Sequence, residues 1–531
     1  MSEWTSTSRI NLADGFRNLT PVQLKVLSDL PDFRSDCLVQ AKTGTGKTLA
    51  FLMPTLHSLL SQRAVPRGHV AVLILSPTRE LALQIAKECN SVTSKLQPAI
   101  ECHTAYGGTS KSRELNLFLK GNPKILVATP GRLNDYLSDE HVAEKFASLR
   151  TLVLDEADTM LEAGFLPAIK EILRRLPPKS AGWQGMCFSA TIPQKIDSVL
   201  LHVLKPGYTR LSTIDPNEAP TIDRVEQFSV IVPSVSHVYS NLYALLQVEY
   251  AANSNNFKVI VFGATANGVA LMHSLFANLL RSSGIHVFQL QSRLTQNART
   301  RTTEEFKAAS AGVMFASDVI GRGMDFPNVS LVVQVGLPSS GDQYTHRVGR
   351  TARAGNEGRA VILLTQRESF FTRVNKSLPI KPYPSDLSGK VQTSVNDVEA
   401  ALTDVDEETK GKAYRAWLGF HKTFTKQLQL SNDSLVEQAN EYAASLGCPE
   451  PPTIEKQTVG KMGLKGVKGL NIGPAPSREG RGGRGGANRG HQSTTRGGRS
   501  QSRGPSSARG RGGNRAGRGQ RGGRVEKNRG T

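Results

Sequence analysis

Over residues 1–365, short continuous apolar runs alternate with longer stretches in which apolar positions recur every three or four residues. The runs have the length of buried strands, and the periodic stretches predict helices, two of them at 80–95 and 167–176. In the first half of this region the predicted strands are 37–39, 70–75, 124–129, 152–154 and 185–189. Continuous apolar strands that alternate with helices are typical of a parallel sheet covered on both faces.

The second half repeats this pattern after a segment at 205–222 that fits neither period and is predicted to be a linker. Its predicted strands are 259–262, 287–290, 313–316, 331–335 and 360–364. We therefore expect an α/β protein with two tandem lobes at 1–212 and 213–385, each a doubly wound parallel sheet. The second lobe has no glycine-rich phosphate loop of its own, so only the first is expected to carry a complete nucleotide site.

The chain changes character after the second lobe. Aromatic and aliphatic residues recur at helical spacing over 395–447, which predicts a small helical extension at 390–450 with its aromatic stripe in the core. Residues 451–531 are predicted to be a disordered basic tail, because from Ser477 onward the sequence contains no aromatic residue that could support a core. Arg-Gly-Gly triplets begin at Arg481, Arg484, Arg496, Arg511 and Arg521.

Charge points to a polyanionic partner. The net charge is +21, and the segment 477–531 carries 14 Arg and 1 Lys against 2 Glu, which is +13 of that total. Nucleic acid is the first expectation and an anionic membrane surface the second. Such a tail binds nucleic acid with an affinity that falls steeply with salt.

Other compositional features exclude several classes of protein. Five cysteines without a Cys-x-x-Cys pair are interpreted as reduced core residues of an intracellular protein rather than as disulfides or zinc ligands. No apolar run is long enough to cross a bilayer, so no transmembrane helix is expected, and the first residues resemble neither a signal peptide nor a transit peptide.

The strongest chemical signal is the glycine-rich sequence at 41–48, which lies between a predicted strand and a predicted helix. Gly44 and Gly46 allow backbone N–H groups to face phosphate oxygens, Lys47 can reach the β- and γ-phosphates, and the Thr48 hydroxyl can ligate Mg²⁺. The usual pattern opens with glycine, where this chain has alanine. The loop residues predicted to bind the nucleotide are Ala41, Thr43, Gly44, Thr45, Gly46, Lys47 and Thr48.

Upstream of this loop, Thr20 and Pro21 predict the start of a helix that carries Gln23 on its first turn. A glutamine amide presents a donor beside an acceptor, which matches the edge of adenine. An ordinary helix start accounts for the same three residues.

Two carboxylates and two arginines complete the predicted chemistry. Asp155 and Glu156 follow a buried strand, where Asp155 would hold Mg²⁺ and Glu156 would orient and deprotonate the attacking water. Arg350 and Arg353 lie at a spacing of three in the second lobe and would act on the transition-state charge as arginine fingers. Hydrolysis would then require the two lobes to close.

Over residues 15–365 these motifs, taken in order, resemble the DEAD-box RNA helicases, whose signature Asp-Glu-Ala-Asp stands at 155–158. The resemblance implies two RecA-like domains, ATP with Mg²⁺, and RNA bound with little sequence preference, by a protein expected to be a monomer. It implies adenine contacts at Phe16 and Gln23, a ribose contact at Asp325, and Arg350 and Arg353 as the fingers. The implied RNA contacts are Pro77, Thr78, Arg79, Gly108, Thr129, Pro130, Gly131, Arg132, Arg299 and Ser317. The residues implied to couple hydrolysis to unwinding are Asp158, Ser189, Thr191 and His346.

Within the family the chain is most similar to the fungal mitochondrial intron-splicing helicases, which are described as general RNA chaperones. One departure concerns the adenine-stacking Phe that usually stands well upstream of the first motif, at a distance greater than the length of chain that precedes Gly15 here. Either Trp4 takes its place or the natural N-terminus is missing. We expect an ATP-dependent RNA helicase and chaperone that acts on short duplexes. The alternatives are an ATP-gated RNA scaffold with little unwinding activity and a DNA helicase.

Overall fold

The computed structural model describes residues 18–30, 34–42, 44–97, 99–162, 164–192, 196–214, 225–318, 324, 326–352 and 358–473. Phe16, Thr43, Asp325 and Arg353, together with residues 474–531 of the predicted tail, lie outside the described residues.

Lobe one (18–214) is built on a sheet of seven parallel strands in the order β3-β4-β2-β5-β6-β1-β7. The strands are β1 (Cys37–Gln40), β2 (Val72–Leu75), β3 (Glu101–Ala105), β4 (Pro123–Ala128), β5 (Thr151–Leu154), β6 (Gln184–Ser189) and β7 (Thr209–Ser212). The helices are α1 (Pro21–Asp29), α2 (Lys47–Ser61), α3 (Arg79–Thr93), α4 (Lys111–Lys120), α5 (Pro130–Leu137), α6 (Glu140–Glu144), α7 (Ala157–Glu162), α8 (Leu166–Arg175) and α9 (Asp197–Val203).

Lobe two (225–382) repeats this sheet with seven parallel strands in the order β10-β11-β9-β12-β13-β8-β14. Its strands are β8 (Glu226–Val232), β9 (Lys258–Gly263), β10 (Val287–Leu290), β11 (Gly312–Ala316), β12 (Leu331–Val335), β13 (Arg359–Thr365) and β14 (Ile380–Pro382). Its helices are α10 (Val238–Ala252), α11 (Ala266–Leu279), α12 (Gln296–Ala308), α13 (Gly341–Val348) and α14 (Phe370–Val374). The predicted fold class, two doubly wound parallel sheets, is confirmed.

The predicted linker at 205–222 is wrong at its start, because β7 at 209–212 pairs with β1 at the edge of the lobe-one sheet. The strand β8, which lies between β13 and β14, escaped prediction, and so did the edge strands β3, β7 and β14. Each of these edge strands has one neighbour and buries at most one of its side chains, so it lacks the continuous apolar run that marks a central strand.

The extension contains α15 (Ser388–Thr403), α16 (Glu407–Lys422) and α17 (Asn432–Ser445). Its apolar side chains, Tyr414 and Leu418 among them, share one continuous hydrophobic core with lobe two, and both are fully buried. The interpretation of the aromatic stripe as core is therefore confirmed for these residues. The extension has no separate core of its own among the described residues, so it is an addition to lobe two.

The predicted tail boundary at 451 is wrong. Residues 451–473 form β15 (Ile454–Glu455), α18 (Lys456–Lys461) and β16 (Ile472–Gly473), and they bury Ile454, Val459 and Leu464 in the shared core. Three apolar residues are too few to predict a fold from sequence, but they suffice when a core is already present to receive them.

All five cysteines are free thiols, four of them buried and Cys102 partly so. In the part of the chain that the structure describes, no helix combines the length and apolarity needed to cross a bilayer.

Candidate nucleotide and RNA site

The residues singled out from the sequence lie at the carboxyl ends of parallel strands, which is the edge where α/β sheets bind ligands. In lobe one these are the segments that follow β1, β2, β3, β4, β5 and β6. In lobe two they are the segments that follow β10, β11 and β12.

The phosphate loop joins β1 to α2 and turns through Gly44 and Gly46, whose φ angles are 75° and 86°. Glycine is needed at position 46 because the φ angle there is positive and because a side chain would overlap the Gln23 amide. Lys47 Nζ lies 3.3 Å from the Ala41 carbonyl oxygen and 3.2 Å from Glu156 Oε1. The lysine is thus held, almost fully buried, at the mouth of the loop.

The Gln23 amide contacts the loop directly. Its Nε2 donates to the Gly46 carbonyl oxygen at 3.1 Å, and its Oε1 accepts from the Thr20 N–H at 3.0 Å. Gln23 is 3 % exposed. The geometry adds a role that the sequence did not suggest, because the residue expected to read adenine also ties α1 to the phosphate loop.

The acid pair follows β5, with Asp155 3 % exposed and Glu156 1 % exposed. Burial, and then the neighbouring Glu156 carboxylate, raise the pKa of Asp155 to about 7. Glu156 has φ = 51°, a left-handed conformation that is strained for a residue with a side chain. Its Oε2 has no hydrogen-bond partner among the described residues. Strain and an unpaired buried oxygen together mark this carboxylate as held for a ligand.

No cluster of three or more His, Cys, Asp or Glu side chains that could hold a metal occurs in the described ranges. A divalent cation at Asp155 would therefore complete its shell with phosphate oxygens and water, which is the usual arrangement for Mg²⁺ in phosphoryl transfer. The single buried acid pair fits that requirement.

Asp158 connects the acid pair to the segment after β6. Its Oδ2 accepts from the Thr191 N–H at 3.0 Å and from the Thr191 hydroxyl at 2.7 Å. Its own N–H donates to Ser189 Oγ at 3.3 Å. The structure thus brings Asp158, which stands two residues after Glu156, together with Ser189 and Thr191.

The predicted RNA contacts of lobe one differ in exposure. Gly108 and Gly131 are exposed, whereas Pro77, Thr129 and Pro130 are buried and shape the strand ends. Thr78 caps α3 by accepting from the Leu81 N–H at 3.2 Å. The residues in this set are Pro77, Thr78, Arg79, Gly108, Thr129, Pro130, Gly131 and Arg132.

The two arginines of this set have different surroundings. The half-buried Arg79 guanidinium lies against Gly107 and Gly108, where a methyl group on either glycine would overlap it. Arg132 is 9 % exposed and donates to Glu114 at 3.3 Å and to the Thr109 carbonyl oxygen at 3.2 Å. Arg132 therefore braces the loop after β3, and Arg79 is the more accessible charge.

In lobe two, Arg347 makes a two-pronged ion pair with Asp318, with bonds of 2.8 and 2.9 Å. Arg350 is 2 % exposed and donates to the carbonyl oxygens of Met324 at 2.7 Å and His346 at 3.1 Å. These bonds fix the loop after β11 against α13. Ser317, also in that loop, is 7 % exposed, and its hydroxyl lacks a hydrogen-bond partner within the described ranges.

A buried contact joins the two lobes. Glu80, the second residue of α3, lies 2.5 Å from Arg299 and accepts from Gln296 Nε2 at 3.0 Å, both at the start of α12. All three side chains are at least nine-tenths buried. The predicted RNA contact Arg299 is thus paired with an acid in this structure, and the sequence analysis missed Glu80. The position of Glu80 next to Arg79 in the sequence was a signal that could have drawn attention to it, but only the fold shows that its carboxylate faces lobe two.

Comparisons with known proteins agree with this arrangement. The sequence matches the family model of the DEAD/DEAH box helicases over residues 20–199 and that of the helicase conserved C-terminal domain over residues 238–355. It is 60 % identical to the ATP-dependent RNA helicase MSS116, mitochondrial, of Phaeosphaeria nodorum, over 86 % of this chain and 83 % of that protein. It is 57 % identical to mss116 of Aspergillus oryzae, over 86 % of this chain and 72 % of that protein.

The fold also resembles solved structures. One is Mss116p, with NTE and C-tail deleted, bound to ssRNA and AMP-PNP, which aligns with a TM-score of 0.74 and 27 % identity over 85 % of this chain and 90 % of that one. Mss116 bound to ssRNA and UDP-BeF aligns with a TM-score of 0.73 and 28 % identity, over 85 % and 91 % of the two chains.

Proposed function

This chain belongs to the DEAD-box family of ATP-dependent RNA helicases, and we propose that it separates short RNA duplexes by closing its two lobes on one strand. ATP binding closes the lobes, and hydrolysis with phosphate release reopens them. A scaffold without unwinding gains no support from the site, where Lys47 and Glu156 are both in position. The relatives named RNA helicases favour RNA over DNA as the substrate.

The interlobe contact of Glu80 with Arg299 and Gln296 carries this proposal. A charge pair removed from water is unfavourable unless both partners and their hydrogen bonds are present together. Such a pair forms only when α3 and α12 meet, and each helix begins at an edge that carries predicted RNA contacts. We propose that Arg299 acts by positioning, through Glu80 and therefore next to Arg79, instead of by gripping a phosphate itself.

RNA would lie along the strand ends of both lobes, on Arg79 and the exposed backbone of Gly108 and Gly131 in lobe one and on Ser317 in lobe two. Contacts of this kind read the sugar–phosphate backbone and not the bases, so we expect little sequence preference. Among the described residues the buried Ser317 hydroxyl has no hydrogen-bond partner, which supports this assignment, because such a hydroxyl is costly unless a ligand satisfies it.

Mg²⁺ would be held at Asp155 and by the hydroxyl of Thr48, the second residue of α2. The cation would neutralise phosphate charge and offset the proximity of the two carboxylates. Glu156, whose Oε2 has no hydrogen-bond partner in the described part of the chain, would take the proton of the attacking water. Arg350 is proposed to stabilise the transition state when the lobes close.

The test is an unwinding assay on a short RNA duplex with the unchanged protein and Glu156→Gln. Glutamine keeps the size of the side chain but cannot accept the proton, so we expect ATP turnover to fall by about 10²–10⁴-fold. Multiple-turnover unwinding should fall with it, whereas binding of RNA with AMP-PNP should persist. Equal turnover and unwinding by the two proteins would remove Glu156 from the mechanism.

The relatives named mitochondrial support a mitochondrial location, and the fungal splicing helicases that the chain resembles suggest a chaperone role on structured introns. Crosslinking of the tagged protein to RNA in cells, followed by sequencing, tests both proposals. Recovery of chiefly cytosolic transcripts would contradict them.

A further inference from the structure

A carboxylate on α3 contacts the helix that follows the phosphate loop. Glu88, in the third turn of α3, is half-buried and accepts a hydrogen bond from the hydroxyl of Thr48, the second residue of α2. Its neighbours on α3, Ile85 and Cys89, are fully buried in the core that α2 and α3 share. Glu88 is therefore held at the boundary of that core, with its carboxylate at the start of α2.

Glu88 takes part in no ion pair among the described residues, although it is half-buried. By contrast, Glu171 of α8 lies 3.0 Å from Arg175. Burial raises the pKa of Glu88, and the hydrogen bond from Thr48 opposes that rise. A triphosphate bound at 41–48 would bring further negative charge close to this acid. A carboxylate in such a place is unfavourable unless a cation lies nearby.

The Thr48 hydroxyl can serve a cation and an acid at the same time. Its oxygen lone pairs can bind Mg²⁺ while its hydrogen is donated to a carboxylate. A hydrogen bond from behind a metal ligand fixes the orientation of that ligand, and so the direction of its lone pairs. Thr48 is only 9 % exposed, so few water molecules can replace Glu88 as the acceptor.

We propose that Glu88 is a positioning residue for the Mg²⁺ that accompanies the nucleotide, because it accepts the hydrogen of Thr48 and thereby turns the hydroxyl oxygen towards the cation. The proposal rests on the proposed function, which assigns Thr48 to Mg²⁺. The two acids then have different parts. Asp155 would hold the cation, whereas Glu88 acts through Thr48.

The test compares the affinity of the full-length chain for AMP-PNP with Mg²⁺ and with EDTA, by calorimetry and without RNA. Glu88→Ala removes the acceptor, whereas Glu88→Gln keeps an amide oxygen that can accept from Thr48. Glu144→Ala is the matched control, because it removes the same charge from an exposed side chain of α6. Thr48→Ala, alone and combined with Glu88→Ala, shows whether Glu88 acts through the hydroxyl. Unfolding in urea verifies that each variant is folded.

With Mg²⁺, we expect Glu88→Ala to lower the affinity for AMP-PNP by about tenfold, which is typical when the group behind a metal ligand is lost. In EDTA the affinity should not fall, because the cation whose ligand Glu88 orients is absent. Glu88→Gln and Glu144→Ala should keep the Mg²⁺ effect of the unchanged protein. Thr48→Ala should lose affinity with Mg²⁺, and adding Glu88→Ala to it should cause no further loss.

Several results would overturn the proposal: no loss in Glu88→Ala, an equal loss in EDTA, an equal loss in Glu144→Ala, or a further loss when Glu88→Ala is added to Thr48→Ala. An equal loss in Glu88→Gln would also overturn it, since charge and not orientation would then be responsible. If Thr48→Ala itself kept the full Mg²⁺ effect, the proposed Mg²⁺ site would fail together with this inference. An absence of RNA unwinding, by contrast, would contradict the proposed function and leave these affinities as they are.

Discussion

The two lobes have sheets of the same strand order but opposite chemistry at corresponding strand ends. The sixth position is occupied by β1 in lobe one and by β8 in lobe two. β1 leads into the phosphate loop at 41–48, whereas β8 leads into 233–238, which contains neither glycine nor lysine. The sheet determines where a ligand can lie, and the residues of the loops at its strand ends determine which ligand binds.

In lobe two the corresponding place is covered by the extension. A cavity of about 230 Å³ lies at the ends of β8, β9, β12 and β13, and α16 and α17 form its other side. Trp417 of α16 stacks on His421 with ring centroids 3.8 Å apart, and His421 Nε2 lies 3.1 Å from Glu368. In lobe one the ends of β1 and β5 carry the phosphate loop and the acid pair, whereas in lobe two the ends of β8, β9, β12 and β13 face aromatic side chains of the extension.

The largest expected effect is on ATP hydrolysis, and it distinguishes the phosphate loop after β1 from the corresponding loop after β8. Lys47→Ala should lower kcat/KM for ATP hydrolysis by about 10²–10³-fold, because it removes a preorganised charge at the phosphates. His237→Ala, in the corresponding loop of lobe two, should change it by less than about twofold. Steady-state ATP turnover with saturating RNA measures both, and a large loss in the His237 variant would mean that the second loop also serves the nucleotide.

The next effect concerns the contact that joins the lobes. Glu80→Ala leaves Arg299 buried without its carboxylate, a change that typically costs about 3–5 kcal/mol in the closed state. RNA affinity in the presence of AMP-PNP should fall by at least about tenfold, with nucleotide binding in the absence of RNA unchanged. Glu305→Ala, which breaks an exposed pair with Arg301 on α12, is the control and should have little effect. Equal behaviour of the two variants would contradict an interlobe role for Glu80.

Two buried carboxylates at strand ends have opposite pKa shifts. Burial raises the pKa of Asp155, so its ionisation opposes folding increasingly as pH rises from about 4 to 7. Burial also acts to raise the pKa of Glu368, but the hydrogen bond and the charge of His421 lower it. The ionised Glu368 therefore stabilises the folded state above its ordinary pKa, and this stabilisation is lost in acid.

Without Mg²⁺ at pH 8, Asp155→Asn should therefore stabilise lobe one and Glu368→Gln should destabilise lobe two, each by roughly 1–3 kcal/mol. Unfolding in urea can be followed separately in variants that keep only Trp183 or only Trp417, which report on lobe one and on the extension. Both differences should shrink at pH 4. If both substitutions changed the free energy of unfolding in the same direction, the two carboxylates would not differ as described.

The smallest effect concerns a strain that both lobes share. Glu156 has φ = 51° and Ala352 has φ = 53°. Glycine relieves this strain, so Glu156→Gly should be more stable than Glu156→Ala, and Ala352→Gly more stable than the unchanged protein, each by about 1 kcal/mol. Ala82→Gly, inside α3, should show the opposite sign and serves as the control in the same urea experiment.

Much of the fold could be predicted because central strands are buried on both faces and so are apolar throughout. The strand predicted at 331–335 matches the central strand β12 to the residue, and 287–290 matches β10, although β10 is an edge strand. The edge strands β3, β7 and β14 and the partly exposed inner strand β8 could not be found in this way. Nor could the folded stretch at 451–473, whose three core residues are separated by glycines and lysines and gain meaning only beside lobe two.

The candidate site, like the fold, could be predicted where it depends on short-range sequence pattern. Local motifs placed the phosphate loop and the acid pair at strand ends, because a loop that binds phosphate must be contiguous in sequence. Contacts between distant segments were beyond reach: Gln23 with Gly46, Asp158 with Thr191, and Glu80 with Arg299.

Short-range pattern and composition are enough to specify the class of fold, the nucleotide chemistry and the basic character of the chain. Which side chains meet across the lobes and which strand ends the extension covers follow only from the tertiary fold. Those outcomes depend on burial shared between segments that are far apart in sequence, as Glu80 and Gln296 illustrate at a separation of 216.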